Sequence, residues 1–493
     1  MGIDHSWALY CTDGRFPAFL LMVFADHRVV VMIDGRPLDT EQVIPSNSGC
    51  EGMRWAWIVT VGMGYGHQRA AYPLRGIACE RVITANADKM VDPRERRRWK
   101  RVQAFYEGVS RLCSVPVVGK PLWSMYDRLQ RIADLYPSRD LSRPTLGVMY
   151  LDRLLNKGFG QGMAEYVKAV DIPFVSTFFV PPLAAARAGI KRVFSVVTDV
   201  DINRIWVARE PETCPVHYLV PSMIAWKRLI QYGVRPEKIT FTGFPLPEEN
   251  LATLEQDLRG RIGRLDPVGR FAARYGDVAG FNGVATDEGG HAPITLTYAV
   301  GGAGAQKDVA ASILEGLAPD LRAGIYRLNL IAGTRLEVRR FFMDAIRKYG
   351  LESLVGNGIE VQCALDIPSY FATFNRMLKD TDILWTKPSE LVFYAGLGIP
   401  LIMSAPLGAH EETNRNWIRN MGAGFVQENP RFAREWLREW ITSGMLAEAA
   451  FDAYVKAPRH GTENIRRVIF ADDPSDVELV GDHAATVLAP EWR

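Results

Sequence analysis

Two glycine-rich turns constrain the fold of this chain more than any other feature of its sequence. A short apolar segment rich in β-branched residues precedes each turn, and a helix-like segment follows it, in WIVTVGMGYGHQ (57–68) and in ITLTYAVGGAGAQ (294–306). A strand, a tight glycine turn and a helix in this order are typical of α/β units with a parallel sheet. The sequence therefore predicts two such units in tandem.

The segments after each turn continue the alternation. Strand-like runs such as RVFSVVTD and VHYLVPS follow the first turn, and YRLNLIAG, IEVQCA, DILWTK and PLIMSAP follow the second, with helix-like stretches in between. Short apolar runs between helices indicate strands that are buried on both faces. We expect an α/β fold with two doubly wound, Rossmann-like domains.

Length and composition agree with a protein of several domains. The chain has 493 residues, 48% of them hydrophobic and 23% charged, and a net charge of +2. That balance argues against a nucleic-acid partner. The six cysteines form no CxxC pair, which indicates neither a zinc site nor a disulfide framework and favours a reducing cytoplasm. The most apolar early run is interrupted by Asp26, His27 and Arg28, so we expect no transmembrane helix.

The pattern divides the chain into five parts. Residues 1–52 end in a flexible polar stretch before Met53, and we interpret them as a poorly ordered extension or the result of an upstream start. The alternative is a small β-hairpin built from residues 17–24 and 28–33. The other predicted parts are a first domain, a linker with an irregular insertion, a second domain, and a C-terminal helix or tail that packs back on the first domain: 53–247, 248–292, 293–455 and 456–493.

The glycine turns themselves narrow the chemistry. Neither turn matches the dinucleotide fingerprint GxGxxG or the phosphate loop GxxxxGK[ST], so neither a nicotinamide enzyme nor an ATPase is favoured. Glycine allows a tight turn and the close approach of a ligand, and a helix N-terminus favours phosphate. Close packing of helix on sheet is an equally common reason for such glycines. His67, directly after the first turn, is a candidate general base, or a residue that is hydrogen-bonded locally.

Five stretches taken together resemble one family. They contain GMGYGHQRAA, YEGVSRLCSVPVVGKPLWSMY, STFF…VVTD…RIWV, YLVPS…GVRPEKITFTGFP and DILWTKPSE…HEETN…GAG, in register over residues 55–470. The chain resembles the GT-B glycosyltransferases of the branch with monogalactosyldiacylglycerol synthase, processive diacylglycerol glucosyltransferases and the peptidoglycan N-acetylglucosaminyltransferase. The resemblance implies two Rossmann-like domains that face each other across a cleft, the first for the acceptor and the second for a nucleotide-sugar donor. It implies an inverting hexosyltransferase that uses no cofactor and no metal.

On the acceptor side, the resemblance makes His67 the candidate base or acceptor-orienting group. Asp199 either orients His67 or serves as an alternative base, and a satisfied loop carboxylate is about as common. Asp199 and Asp201 form a DVD sequence, but it ends a strand within the matched segment, so we assign no metal there. The residues expected to line the acceptor side are Gly64, Gly66, Trp99 and Trp206.

On the donor side, the resemblance places glycines against the diphosphate, a Thr-Lys pair against the nucleotide and an acidic segment against the sugar hydroxyls. In this chain these residues are Gly302, Gly304, Thr386, Lys387, Glu411, Glu412 and Asn414. Exposed carboxylates at a helix start are the alternative for the acidic pair.

The chain departs from the family at several of these positions. Ser389 and Glu390 stand where the family has glycines. The ribose-binding glutamate of the family falls near Tyr394, and we expect Glu390 to replace it. Asn203 stands where the family usually has a histidine, and His410 where many relatives have glutamine.

A basic helix bears on the acceptor. The segment that starts at Pro93 has five basic residues within 96–101 and an apolar stripe that begins at Trp99. Such a helix suits an anionic membrane surface and, with the resemblance, favours a lipid or lipid-linked acceptor and a peripheral position on the inner face of the membrane. The alternative is a core-packed helix with a solvated basic end.

Two other functions stay open at this point. A UDP-sugar 2-epimerase uses the same two-domain architecture. A non-catalytic nucleotide-sugar binder is the other alternative, and Ser389, Glu390 and Asn203 motivate it.

Overall fold

The computed structural model describes residues 20–25, 28–33, 36–37, 54–89, 91, 93–100, 132–279, 292–301, 304, 306–406 and 408–481. The chain forms two compact units, Met1–Arg54 and Trp55–Arg493. In the first unit, β1 (Leu20–Ala25) and β2 (Arg28–Ile33) pair antiparallel, and β3 (Arg36–Pro37) pairs with β2. This hairpin overlaps the alternative given for the N-terminal extension, of which residues 17–19 lie outside the described residues.

The second unit contains two six-stranded parallel sheets, which confirms the predicted α/β fold with two doubly wound halves. The N-terminal sheet has the strand order β5-β4-β6-β7-β8-β9, and the C-terminal sheet β12-β11-β10-β13-β14-β15. The strands are β4 (Trp57–Thr60), β5 (Ile83–Thr84), β6 (Phe174–Ser176), β7 (Val193–Val196), β8 (His217–Val220), β9 (Ile239–Phe241), β10 (Ile294–Ala299), β11 (Tyr326–Ile331), β12 (Ile359–Gln362), β13 (Ile383–Thr386), β14 (Leu401–Met403) and β15 (Gly424–Val426).

Helices cover both sheets. They are α1 (Gly66–Ala71), α2 (93–100), α3 (Leu146–Asn156), α4 (Gln161–Val167), α5 (Val180–Arg187), α6 (Met223–Gln231), α7 (Glu248–Leu251), α8 (Leu254–Leu265), α9 (Arg270–Ala279), α10 (Lys307–Arg322), α11 (Leu336–Lys348), α12 (Ile367–Lys379), α13 (Ala409–Met421), α14 (Ala433–Thr442), α15 (Met445–Lys456) and α16 (Gly461–Phe470). None of the helices in the described part of the chain is long and apolar enough to cross a membrane.

Residues 248–279 differ from the predicted linker and irregular insertion, because they form α7, α8 and α9. In α8 the buried apolar residues recur one helical turn apart, at Leu254, Leu258, Ile262 and Leu265, between charged residues and Gly260. Arg261 is buried as well and donates hydrogen bonds to the main-chain oxygens of Thr381, Leu397 and Gly398 in the C-terminal half. The spacing of the apolar residues is therefore that of an amphipathic helix, although the segment contains no continuous apolar run.

The start of the basic helix α2 packs into the core of the N-terminal half. Glu95 and Trp99 are buried, whereas Arg94, Arg97 and Arg98 are exposed. Trp99 lies against the rings of Phe159 and Phe178, with ring centres 4.6 and 6.3 Å away. Over 93–100 the helix therefore matches the alternative of a packed helix with a solvated basic end. The rest of the predicted apolar stripe lies outside the described residues.

The C-terminal helix α16 lies on the N-terminal sheet. Its apolar face shares one cluster with residues of β4, β6, β7 and the segment after α1: Ile465, Val468 and Ile469 with Ile58, Leu74, Val175 and Phe194. The Asn464 amide also donates to the main-chain oxygen of Thr242, 3.1 Å away, just after β9. The end of the chain thus covers one face of the first sheet.

We expect Ile465→Ala to lower the free energy of unfolding by about 2–5 kcal/mol, because the side chain is fully buried between helix and sheet. Val455→Ala, on α15, is the matched control, since Val455 is 52% exposed and its truncation changes stability by only about 0.5 kcal/mol. Urea denaturation of both variants measures the difference. Equal midpoints would show that α16 contributes nothing to the first domain.

Candidate functional site

The site lies where the carboxyl edges of the two sheets meet. In each sheet the strand order reverses next to the strand that carries a glycine turn, between β4 and β6 and between β10 and β13. Parallel α/β sheets bind ligands outside the carboxyl ends of their strands at such a reversal. Both glycine turns therefore occupy the positions at which this fold is built to hold a ligand.

The three glycines of the first turn have different surroundings, and Gly64 is the one whose backbone conformation favours glycine. The Gly62 amide donates to the Asn86 side chain at 2.8 Å. Gly64 has a φ of +86°, a left-handed conformation that favours glycine. A methyl group on Gly66 would lie 3.4 Å from the Glu390 side chain, which belongs to the other half. The turn therefore brings main chain close to the C-terminal half.

The first turn opens into a short helix. Helix α1 has only six residues and continues as a 3₁₀ helix over Tyr72–Ile77. Few peptide dipoles align along α1, so its N-terminus attracts an anion less than that of a long helix. The side chains of α1 are what it contributes to the site.

His67 has a defined orientation. Its Nδ1 lies 2.7 Å from the main-chain oxygen of Thr177, at the end of β6. A carbonyl oxygen can only accept, so Nδ1 carries the proton of the neutral ring, and Nε2 keeps its lone pair. The Thr198 hydroxyl lies 3.1 Å from the same Nδ1. No hydrogen bond to Nε2 is formed within the described part of the chain, so His67 can accept a proton there.

The surroundings keep the His67 ring neutral. Burial lowers its pKa below 6.5, and it outweighs the Asp199 carboxylate and the Thr177 carbonyl, which raise the pKa. Glu390 and His410 of the C-terminal half also act on this pKa, in opposite directions. Near neutral pH the ring is therefore the unprotonated form that a base requires.

Aromatic rings form the wall beside His67. Phe178 meets the imidazole edge to face with ring centres 4.8 Å apart, and the Trp206 ring centre is 6.3 Å away. Phe179 packs against Trp206 at 5.7 Å. The structure thus brings Trp206 next to His67, whose pKa Asp199 also affects. It places Trp99 behind Phe178 in the core, so Trp99 supports this wall from inside the domain and does not face an acceptor.

The second turn brings a lysine over a glycine. A methyl group on Gly301 would lie 2.5 Å from Cε of Lys387, so a side chain there would displace the end of the lysine. Gly304 has a φ of +70° and packs against Arg335 and Val338. Gly302, also predicted to face the diphosphate, lies outside the described residues.

Gln306 closes the second turn and starts α10. Its φ of +65° is unusual for a residue other than glycine and costs on the order of 1–3 kcal/mol. Three hydrogen bonds hold it: Ser404 Oγ donates to its Oε1 (2.6 Å), its Nε2 donates to the Ala405 oxygen (2.7 Å), and the Tyr298 hydroxyl donates to its main-chain oxygen (2.6 Å). Gln306 thereby fixes the turn against the loop after β14.

Two acidic residues of α13 have different partners. The Glu411 carboxylate is buried and forms an ion pair with Lys387, which itself is only 19% exposed. Glu412 is 44% exposed and pairs with Arg415 one turn along the helix. Only Glu411 therefore joins Lys387 in the site, while Glu412 fits the alternative of a carboxylate at an exposed helix start.

Glu390 lies between the two halves. Its carboxylate is 3.5 Å from Nε of Arg69 and next to Gly66. Tyr394, near which the ribose-binding glutamate of the family would fall, is buried, and its hydroxyl accepts a hydrogen bond from Arg69 at 3.4 Å. Among these residues Glu390 is the one that offers a carboxylate to a ligand.

Two other predicted donor residues have their polar groups engaged by the protein. Thr386 is buried, and its hydroxyl donates to the main-chain oxygen of Ala299 at 3.1 Å. The buried Asn414 amide accepts from the Val200 amide and donates to the Pro388 oxygen, both at 3.1 Å. These two residues position the loops around the site, and the structure does not present them to a sugar.

Two residues in and after the DVD sequence, to which the sequence analysis assigns no metal, are also structural. Asp201 is buried in a two-point ion pair with Arg228, at 2.8 and 2.9 Å. Asn203 caps a short 3₁₀ helix by accepting from the Ile205 amide. Within the described ranges no three His, Cys, Asp or Glu side chains are grouped as they would be to hold a metal ion.

Sequence reasoning missed three residues of the site: Tyr65, Arg69 and Gln306. Tyr65 and Arg69 both reach into the C-terminal half, and their spacing of four residues around His67 is the one signal that points to a shared helix face. No local signal marks Gln306, because its conformation depends on a loop about 100 residues away.

Comparisons with known proteins agree with the resemblance seen in the motifs. A family model described as a domain of unknown function (DUF6938) matches residues 336–434. A processive diacylglycerol beta-glucosyltransferase of Bacillus subtilis (strain 168) is 21% identical over 273 residues, 55% of this chain and 60% of the relative. The enzyme of the same name from Bacillus cytotoxicus is 24% identical over 236 residues, 48% and 50% of the two chains. The chain thus spans between half and three fifths of these relatives.

Among solved structures, the S. aureus MnaA–UDP complex superposes with a TM-score of 0.41 and 13% identity, over 85% of this chain and 96% of the other.

The geometry of His67 predicts its titration. In ¹⁵N-NMR spectra of histidine-labelled protein, we expect the neutral His67 ring to carry its proton on Nδ1 and to become protonated with a midpoint below pH 6.5, because burial disfavours the charged ring. The spectrum of His67→Gln identifies the signal. A proton on Nε2 at pH 8, or a midpoint above 6.5, would contradict this orientation.

Proposed function

We propose that this protein is an inverting glycosyltransferase that moves a hexose from a nucleoside-diphosphate sugar, with UDP as the nucleotide, to an acceptor hydroxyl. The observation that carries the proposal is the His67 ring. Its Nδ1–H donates to Thr177, and no described residue hydrogen-bonds its Nε2 lone pair, at the edge of the first sheet and within the electrostatic reach of Glu390 and His410 on the second half. A base on one half facing anion-binding groups on the other is what such a transfer needs.

The transfer follows from these groups. Nε2 of His67 takes the proton of the acceptor hydroxyl, and the acceptor oxygen forms a bond to the anomeric carbon. The bond from that carbon to the diphosphate oxygen breaks on the opposite face, and the electron pair leaves with the nucleoside diphosphate. Configuration at the anomeric carbon is therefore inverted. Asp199 raises the proton affinity of His67 and stabilises the ring once it is charged.

The leaving diphosphate carries the charge that the second half is built to receive. Lys387 lies over Gly301, and α10, a helix of 16 residues, begins directly after the turn. A cation beside a helix N-terminus favours a phosphate group and stabilises it as it departs. Glu411 and Glu390 supply acceptors for hydroxyls of the sugar and the ribose.

The acceptor is proposed to be a lipid or a lipid-linked hydroxyl compound. Two observations support this: the aromatic wall of Phe178, Phe179 and Trp206 beside His67, and the names of the two curated relatives, both processive diacylglycerol beta-glucosyltransferases. A peripheral position on an anionic membrane remains part of the proposal, with the exposed arginines of α2 as its basis.

The base is tested by His67→Ala in an assay with UDP-glucose, UDP-galactose or UDP-N-acetylglucosamine and diacylglycerol in mixed micelles. We expect the rate to fall at least a hundredfold, the lower end of what a general base supplies, with UDP binding unchanged. His460→Gln is the control, since this histidine lies at the start of α16 against Gly481. A His67→Ala variant with the wild-type rate would remove His67 from the mechanism.

The same assay without acceptor separates the other functions. Epimerised UDP-sugar would establish a 2-epimerase in place of a transferase. In a separate assay with a panel of acceptors, tight UDP binding with no turnover on any of them would establish a non-catalytic binder.

The diphosphate site is tested by Lys387→Met. We expect the affinity for UDP to fall at least tenfold, because the change removes the cation over Gly301 and the positive charge that faces the Glu411 carboxylate. Isothermal titration calorimetry measures it. Lys348→Met, an exposed lysine at the end of α11, is the control with the same change of net charge. Equal affinities of both variants for UDP would place the diphosphate elsewhere.

A further inference from the structure

Arg69 of the first half is enclosed by the second half. Its side chain is 2% exposed, and its guanidinium lies over four rings of the C-terminal half, with Cζ 4.7–5.6 Å from their centres. The rings belong to α12 and to the 3₁₀ helix over Glu390–Leu397: Tyr370, Phe371, Phe374 and Tyr394. We call these four residues the aromatic cage.

The polar contacts of Arg69 in the cage are few for a buried cation. One short hydrogen bond runs to the Tyr370 hydroxyl at 2.9 Å, and a longer one to Tyr394 at 3.4 Å. The Glu390 carboxylate is 3.5 Å from Nε, which has no hydrogen-bond partner among the described residues. Burial alone would lower the pKa of Arg69. The Tyr370 and Tyr394 phenols and Glu390 outweigh this effect, so the pKa lies above its usual value and the guanidinium remains charged. Cation–π attraction therefore carries much of the contact.

Tyr65 makes a second contact from the same side of the first turn. Its hydroxyl accepts a hydrogen bond from the Thr334 amide and lies 3.0 Å from the Thr334 hydroxyl, in the loop after β11. A side chain at Gly333 would collide with the tyrosine ring. The Tyr65 ring also packs on Tyr370 of the cage with ring centres 5.0 Å apart.

Along the first turn, contacts to the C-terminal half lie on both sides of His67, which itself is bound to the N-terminal half. Residues 65 and 69 are four apart and face the C-terminal half, whereas His67 between them is held by Thr177 and Thr198 of the N-terminal half. The two neighbours of His67 on the turn are thus fixed to the donor half and the ring itself to the acceptor half.

We propose that Arg69 is a positioning residue: docked in the aromatic cage, it holds α1 against the donor half, so that His67 faces the loops that carry Glu390 and Lys387. The role rests on the proposed function for its effect on catalysis, but the contact itself is independent of it. Arg69 touches no substrate in this arrangement and acts through α1.

The test is Arg69→Met in the full chain. Methionine fills much of the cage without the charge, and we expect kcat at saturating donor and acceptor to fall at least tenfold. The Kd for UDP should change less than threefold, because Lys387, Gly304 and Glu411 all belong to the other half. The acid limb of the pH profile of kcat/KM should stay in place, since the Thr177 bond to His67 is intact. This split distinguishes positioning from general loss of structure.

Arg75→Met is the matched control. Arg75 also stacks on a ring, that of Tyr72 at 3.9 Å, but it is exposed and the contact lies within the first half. We expect its kcat to stay within twofold of the wild type. A folded Arg69→Met variant with kcat within twofold of the wild type, or one whose UDP affinity falls as much as its kcat, would overturn the proposal.

Two milder variants keep the proposal open to refutation if Arg69→Met does not fold. Tyr370→Phe removes the 2.9 Å hydrogen bond and keeps the ring, and Tyr65→Phe removes the contact with Thr334. Each should lower kcat, and unchanged kcat in both would overturn the role of the contact.

Should the wild type transfer no sugar to any acceptor, the proposed function fails, and small-angle X-ray scattering then decides the positioning role alone. Arg69→Met should show a larger radius of gyration than Arg75→Met, and equal radii would overturn the proposal.

Discussion

Helix α1 of the N-terminal half packs against the C-terminal half, and this contact holds the two halves together beside the candidate site. Tyr65 and Ala70, on and beside α1, belong to an apolar cluster that also contains the rings of α12 and the 3₁₀ helix at 390–397. Phe244 extends this cluster by stacking on Phe393 with ring centres 4.5 Å apart. Because one core is shared by both halves, the carboxyl edges of the two sheets are held opposite each other. The candidate site is the polar part of that contact.

The charges of the site are balanced across it. Lys387 is paired with Glu411, and Arg69 lies beside Glu390. The Asp199 charge raises the pKa of His67. Pairing lowers the cost of keeping these groups out of water before a ligand arrives. In the proposed function, a nucleoside diphosphate brings further negative charge to the Lys387 side, while the proposed acceptor side offers a neutral base. The electrostatic asymmetry between the two halves therefore matches a transfer from a charged donor to a neutral hydroxyl.

The sequence predicted the architecture because strands, turns and helices leave local patterns. Both glycine turns and the parallel sheets could be predicted from apolar runs and their order, whereas the assignment of His67, Asp199 and Trp206 to the acceptor side came from the resemblance to the family. Side-chain direction could not: Thr386 and Asn414 hold motif positions, yet their polar groups bind the protein main chain. Trp99 begins an apolar stripe but packs inward against Phe159 and Phe178. These two residues come from distant segments of the chain, so the local pattern did not predict the contact. Arg69 contacts Tyr370 across 301 residues, a separation at which local patterns are silent.

The central claim is that an unprotonated His67 faces a diphosphate held by the other half. A crystal structure of the complex with UDP tests it most directly. The account predicts diphosphate density at the start of α10 and within hydrogen-bond distance of Lys387 Nζ, with space for one sugar ring between it and Nε2 of His67. Diphosphate bound outside the carboxyl edge of the second sheet, or a His67 ring whose Nε2 points away from it, would contradict the account.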